Sequence, residues 1–498
     1  MVQSYGVARA TGGASEYDEA PGQGEGSALL GGDATSKPQS QHHGGHASIG
    51  SCVSNLANTI IGSGMLTFPM ALASAGLIPG MITCVFSGGV AAFGLYLLSL
   101  CATQVPHRRA SFFAISQLTF PKAAVFFDAA IAIKCFGVSI RQVALLYTVS
   151  SANDPNSYLI IVKGLMPNVV ASLYHDLTSA DTNPPAWALS GRNWITIFML
   201  ILVPLAFLRR LDSLRHTSYI ALFSVAYLII IVISCYFRPL KGTPERGEVH
   251  LIHFTPNFIS TFPVQVFAYT CAQNLFPIFN EVTSNTQKRM NIIIGTAIGS
   301  AALTYEIIAV FGYLTFGSKV GANIIAMYPS TSLFIAVGQL AIVVLVLFSY
   351  PLQVHPCRNC LDKVFHAGEV PVKAPSADEE DEEDEGENLD EAPSHEMSPL
   401  KHTVLTAAVI TGSFTIAYIV DDLRLVLSFV GSTGSTTISF ILPGLFYWKL
   451  TRDDPNSSRL LNKGALALSL YGAAVFVFCL GFNIYQVIHP SQQGGPGH

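Results

Sequence analysis

Apolar residues gather in long runs along this chain, and polar residues gather between them. Each run is close to the roughly 20 residues that a bilayer core requires, except the third, which is overlong. The runs lie near 51–75, 80–104, 123–166, 192–209, 216–237, 259–282, 290–316, 331–354, 402–420, 424–447 and 464–488. This pattern predicts an all-α integral membrane protein with eleven transmembrane helices. Its domain order is then a disordered cytosolic tail over 1–48, helices one to eight over 49–354, a cytosolic acidic loop over 355–401, helices nine to eleven over 402–488, and a C-terminal tail over 489–498.

Two of the runs are broken in the middle. The first reads ANTIIGSGMLTFPMALASAG, with Gly62, Ser63 and Gly64 at its centre and Pro69 beyond. Glycine has low helix propensity, so a helix through this triplet is easily unwound. In hydrocarbon an unwound turn survives only where its free N–H and C=O groups line a protein cavity. Small residues also permit a close crossing of two helices, and this stretch alone leaves both readings open. The sixth run, Val264 to Val282, reads VQVFAYTCAQNLFPIFNEV. Its polar centre is Thr270 to Asn274, and Pro277 removes a hydrogen bond further on. Interruptions in spans one and six are spaced as two inverted five-helix repeats would place them, meeting at one site. Half-helix N-termini there favour a carboxylate, and freed carbonyls favour an ammonium or a cation. An α-amino acid carries both groups.

Charge in the connections sets orientation. With the N-terminus cytosolic, inner loops carry sixteen Lys and Arg, including Arg108, Arg109, Arg209 and Arg210, against seven in the outer loops. That bias favours a cytosolic N-terminus and a C-terminal tail on the far side. The sequon at Asn456-Ser457-Ser458 then falls in a cytosolic loop and is silent. Apolar sequence begins only near residue 48, so no cleavable signal peptide is expected and the first span serves as its own insertion signal.

The net charge of −5 comes from one segment. Residues 378–391, DEEDEEDEGENLDE, hold 11 acidic groups, and the rest of the chain is basic by 6. Like charges at this density do not pack, so the loop reads as solvated and disordered, with regulatory docking the alternative. The N-terminal tail, rich in Gly, Ser and Ala, offers a second surface for regulatory contacts. Basic residues lie scattered beside apolar spans, which gives no support to nucleic-acid binding. Most of the nine cysteines fall in apolar stretches and behave as small hydrophobes. Cys357 and Cys360 form a lone CxxC after His355, weak support for zinc or redox chemistry.

Four segments carry a family resemblance: NTIIGSGMLTFPMALASAG in span one, FAYTCAQNLFPIFNE in span six, GYLTFGSKVGANIIAMYP from Gly312 to Pro329, and GSTGSTTISFILPGLFY from Gly431 to Tyr447. With them the chain resembles the amino acid/auxin permease family, and within it fungal vacuolar amino acid transporters and animal sodium-coupled neutral amino acid transporters. The resemblance implies a LeuT-type fold of two inverted five-helix repeats plus one helix, and secondary transport of neutral or small amino acids. It implies a substrate site at Asn58, Gly62, Ser63 and Gly64 of span one and Thr270, Gln273 and Asn274 of span six, with Tyr158 of span three beside them. No cofactor is implied beyond a coupling ion, H+ or Na+, and the partners are the amino acid and the lipid bilayer. Proton-coupled transport at the vacuolar, lysosome-like membrane is the first reading, and a sodium-coupled plasma-membrane symporter the alternative.

Relatives often carry a histidine where this chain has Ala272, which bears on the coupling ion. Glu306, alone in LTYEIIAVFGY, is a proton-relay candidate, while Ser349 is the only hydroxyl before Tyr350 in IVVLVLFSYPLQ of span eight, where resembling carriers place a sodium-ligating hydroxyl. Asp128, Lys134 and Glu281 are further charges at membrane depth, and Lys134 reads as structural. The sixteen residues Arg141–Asn156, RQVALLYTVSSANDPN, interrupt a segment that is continuous in relatives, and read as a gene-model artefact or minor splice form. An amino acid sensor that binds without flux is a rival from another class. An enzyme has little support, since no nucleophile elbow, phosphate loop or metal-ligand set is present.

Overall fold

The structure is a computed structural model that describes residues 45–106, 108–147, 185, 187, 191–255, 258–321, 323–329, 332–365, 397–419, 432–455 and 457–488. The N-terminal tail to residue 44, Tyr158, residues 148–156 of the sixteen-residue interruption, the acidic run and the C-terminal tail from 489 lie outside the described residues.

Ser48 starts helix α1 (Ile49–Ile60) by accepting the Ser51 amide on its side chain. After a 3₁₀ turn over Ser63–Thr67 the chain re-enters helix as α2 (Phe68–Ala75), and the segment Gly64–Ala75 is bent 48° from α1. Gly76 ends α2 at φ 89, where a side chain would be strained and would strike the backbone of Ile252 and His253. Helix α3 (Leu77–Ala102) follows at once, then α4 (Phe112–Thr119) and α5 (Ala124–Tyr147). α5 stays helical through Arg141–Tyr147, so the interruption begins as a continuation of the helix.

Helices α6 (Gly191–Ala206) and α7 (Arg215–Phe237) precede the second broken element, α8 (Phe258–Ala268) and α9 (Leu275–Glu281). Then come α10 (Gln287–Phe316), α11 (Leu333–Ser349), α12 (Pro351–Phe365) and α13 (Pro399–Ile419). Helix from Ser432 passes through a π turn at Thr437–Ile441 into α14 (Leu442–Thr451), and α15 (Arg459–Ile488) closes the set. Together α11 and α12 make one span candidate of 33 residues, running past the expected boundary at 354 to Phe365. Cys357 and Cys360 therefore lie buried within a helix rather than in a loop.

Among the described residues there is no strand, only an isolated bridge between Ala47 and Val282. Among the described residues six helices are long and apolar enough to cross a membrane, or seven if the α1–α2 pair counts as one broken span. The distribution of polarity agrees. Leu200 is 79% exposed, and Phe126, Phe223, Ile133 and Leu303 also stand outward, while Asn58, Asn274, Gln273 and Lys134 are buried. Apolar outside and polar inside reverses the arrangement that water imposes and suits a lipid solvent. At the centre, α10 packs against α1, α2, α3 and α7, so both parts of the first broken helix lean on it.

Candidate functional site

The α1 helix ends because Gly62 leaves helical geometry, with φ −116 and ψ −168. The Ile61 amide still reaches Ala57 O at 2.7 Å, and Met65 N reaches back only to Gly62 O at 3.2 Å. A Cβ placed on Gly62 or Gly64 would meet nothing within 4 Å. A close helix crossing would place neighbouring atoms there, so this open space weighs against a packing role for these glycines. The close approaches occur elsewhere: at Gly312 a Cβ would lie 2.6 Å from Pro69 Cγ, and at Gly94 it would lie 2.3 Å from Ser439 O.

The second break follows α8. Thr270 N donates to Phe267 O at 3.1 Å, Asn274 N to Cys271 O at 3.0 Å, and a 3₁₀ turn over Ala272–Asn274 leads into α9. Tyr305 of α10 joins the two breaks. Its hydroxyl lies 2.7 Å from Ile60 O and 3.0 Å from Ala268 O, the carbonyls at the ends of the two first halves. Its ring stacks on Phe68 with centroids 4.5 Å apart. Asn274 makes a second junction, donating to Thr59 Oγ1 at 2.8 Å and Leu352 O at 3.0 Å. Gln273 donates to Gln353 Oε1 at 3.3 Å. Thr270 Oγ1, Gln273 Oε1 and Asn274 Oδ1 are buried without a hydrogen-bond partner among the described residues. Buried polar atoms are nearly always satisfied, so three orphans on one short turn call for an explanation.

Other candidates sit around this junction. Asn58 donates to Ser218 Oγ at 3.1 Å and Phe348 O at 3.4 Å, and its Oδ1 lies 3.0 Å from the Ser349 hydroxyl. Asn58 and Ser349 thus meet between α1 and α11, and Ser349 Oγ also reaches Leu345 O at 2.8 Å. Ser63 contributes backbone to the first 3₁₀ turn. Glu306, one residue past Tyr305, has the Cys84 thiol and Tyr269 as electrostatic neighbours, and neither carboxylate oxygen meets hydrogen-bond geometry. Tyr158 cannot be placed, lying outside the described residues.

Glu281 has a capping role: its two oxygens accept from Leu211 N at 2.9 Å and Asp212 N at 2.8 Å, at the entry to α7. Asp128 is directed toward Cys360 and Lys363 on α12. Cys357 Sγ lies 3.5 Å from Ala132 O, a packing contact between α12 and α5. Among the described residues no group of three or more His, Cys, Asp or Glu side chains forms a metal site.

Residues 45–489 match the family described as transmembrane amino acid transporter protein. The chain belongs to that family. It is 41% identical over 458 residues to vacuolar amino acid transporter 5 of Schizosaccharomyces pombe, covering 90% of this chain and 97% of the relative. It is 35% identical over 472 residues to vacuolar amino acid transporter 6 of Saccharomyces cerevisiae, covering 87% of this chain and 98% of the relative. Vacuolar amino acid transporter 5 of the same yeast is 34% identical over 471 residues. A transmembrane amino acid transporter is not an enzyme, and the resemblance drawn from the four motifs holds.

What sequence reasoning missed in this family member are the partners of the breaks. Tyr305, Thr59 and Gln353 are ordinary residues in apolar or polar helices, and only the fold brings them to Ile60, Asn274 and Gln273. The nearest sequence signal was Glu306, which drew attention to the turn of α10 that also carries Tyr305.

Proposed function

We propose that the protein is a secondary active transporter that moves neutral or small amino acids across the vacuolar membrane, coupled to protons. In this reading the substrate binds between the breaks, at Asn58, Gly62, Ser63 and Gly64 from the first and Thr270, Gln273 and Asn274 from the second, with Tyr158 alongside. The observation that carries it is the meeting of the breaks, at Tyr305 between Ile60 O and Ala268 O and at Asn274 against Thr59. Unfilled space beside Gly62 and Gly64 and the orphan acceptors of the second turn support it. The vacuolar assignment rests on the names of the relatives.

The full architecture in this proposal has eleven spans in a LeuT-type inverted repeat plus one helix, with a cytosolic N-terminus. One helix bundle rocks against the other to expose the site to each side in turn. The N-terminal tail and the acidic loop are cytosolic and provide regulatory contacts.

Proton coupling is supported by two features. Glu306 is a carboxyl group at membrane depth without a geometric hydrogen bond, suited to binding and releasing a proton. Ser349 and Asn58, on the helices where resembling carriers bind sodium, are engaged with each other and with Ser218, Phe348 and Leu345. The test is uptake by the purified chain in proteoliposomes, under proton and sodium gradients imposed separately. Accumulation driven by an inward proton gradient is expected. A strict sodium requirement without pH response would favour the plasma-membrane symporter, and binding without flux would favour the sensor.

A further inference from the structure

The described residues leave one buried cation without an explanation. Lys134 on α5 is 2% exposed, yet makes no hydrogen bond and no ion pair with the described residues. Asp128 on the same helix faces Cys360 and Lys363 instead. The ionisable groups within electrostatic reach of Lys134 are the thiols of Cys135, its chain neighbour, and Cys271, the residue that opens the 3₁₀ turn of the second break. The stem of the lysine crosses the helix of the GSTGSTT segment at Gly434, where a Cβ would lie 2.6 Å from Lys134 Cβ and 2.7 Å from Cγ. The π turn that follows Gly434 packs against the same 3₁₀ turn. Lys134, Gly434 and the second break therefore share one place in the fold.

A buried ammonium is retained only where something supplies the opposite charge. On the same turn, Thr270 Oγ1, Gln273 Oε1 and Asn274 Oδ1 are buried acceptors that lack donors. An unpaired cation beside unpaired acceptors is the complement of a zwitterion, whose carboxylate needs a donor and whose ammonium needs acceptors. We propose that Lys134 is a substrate-binding residue, the counter-charge for the α-carboxylate of the amino acid, while the orphan acceptors of the second break take its ammonium. Gly434 is a positioning residue that keeps clear the path of the lysine stem. This inference rests on the amino acid transport reading above.

Thermal melting of the purified full chain separates the two claims. The probes are L-alanine, L-leucine, L-glutamine and L-tyrosine, each beside its α-carboxamide, in which the carboxylate charge is gone. The wild-type Tm should rise with at least one amino acid and not with its amide. Lys134→Met, which keeps the stem without the charge, should need at least about tenfold more amino acid for the same shift and should lose the preference over the amide. Its ligand-free Tm should equal or exceed that of the wild type, because a buried unpaired charge has been removed. Lys134→Gln provides a second uncharged side chain should methionine pack badly. An unchanged dose response in Lys134→Met overturns the proposal. So does a lowered ligand-free Tm in both variants, which would make Lys134 a structural counter-charge. A wild type indifferent to every amino acid overturns this inference together with the transport reading, whereas a responsive wild type with an equally responsive variant overturns this inference alone.

Discussion

Three segments converge on Asn274, and its side chain shows what the sequence could and could not disclose. That it is polar within an apolar run is visible in the sequence; that it bonds Thr59 and Leu352 is not, since those contacts span 215 and 78 residues. Asn274→Ala leaves buried acceptors without donors, a change worth about 1–3 kcal/mol. The variant should therefore melt lower as well as bind substrate more weakly, which a thermal scan and a binding titration on one preparation will show together. Glu306 differs, since among the described residues only the Cys84 thiol and Tyr269 stand near its carboxylate. Glu306→Gln keeps the shape of the side chain and removes its proton, so folding should be retained and the dependence of flux on pH should flatten. An unaltered pH profile would remove Glu306 from the coupling step.

The broken helices were the most legible elements because glycine and proline act locally. Gly62 and Gly64 weaken a helix wherever they stand, and Thr270 to Asn274 mark a polar interval in any membrane run. The continuation of α11 into α12 was hidden for the complementary reason. The stretch VHPCRNC reads as a polar loop, yet here His355 meets Arg209 O at 3.0 Å and Arg358 meets Ala206 O at 3.2 Å, so both side chains find backbone carbonyls at or just beyond the end of α6. Glycine spacing likewise cannot say which glycines touch a neighbour. Gly312 lies against Pro69 and Gly64 against nothing, so Gly312→Ala should cost about 1–3 kcal/mol through overpacking. Gly64→Ala should change stability by no more than about 1 kcal/mol. Comparing the two melting curves checks the contrast, and equal losses would return Gly64 to a packing role.

For the whole molecule, loop charge predicts a cytosolic N-terminus, and the helical described residues fit a multi-pass membrane protein of either sidedness. The nine native cysteines are all buried, so single cysteines introduced at Ala20 and Gly495 can be labelled with little background. They should react from opposite faces of the membrane. Labelling from one face would mean an even number of spans. The central claim, that an amino acid crosses by way of the space between the two breaks, is tested most directly by uptake into proteoliposomes with wild type and Gly64→Leu side by side. Gly64 borders unfilled space, so leucine should enter the substrate's place and abolish uptake, while the ligand-free protein stays folded with a Tm close to that of the wild type. Normal uptake by folded Gly64→Leu would contradict the claim.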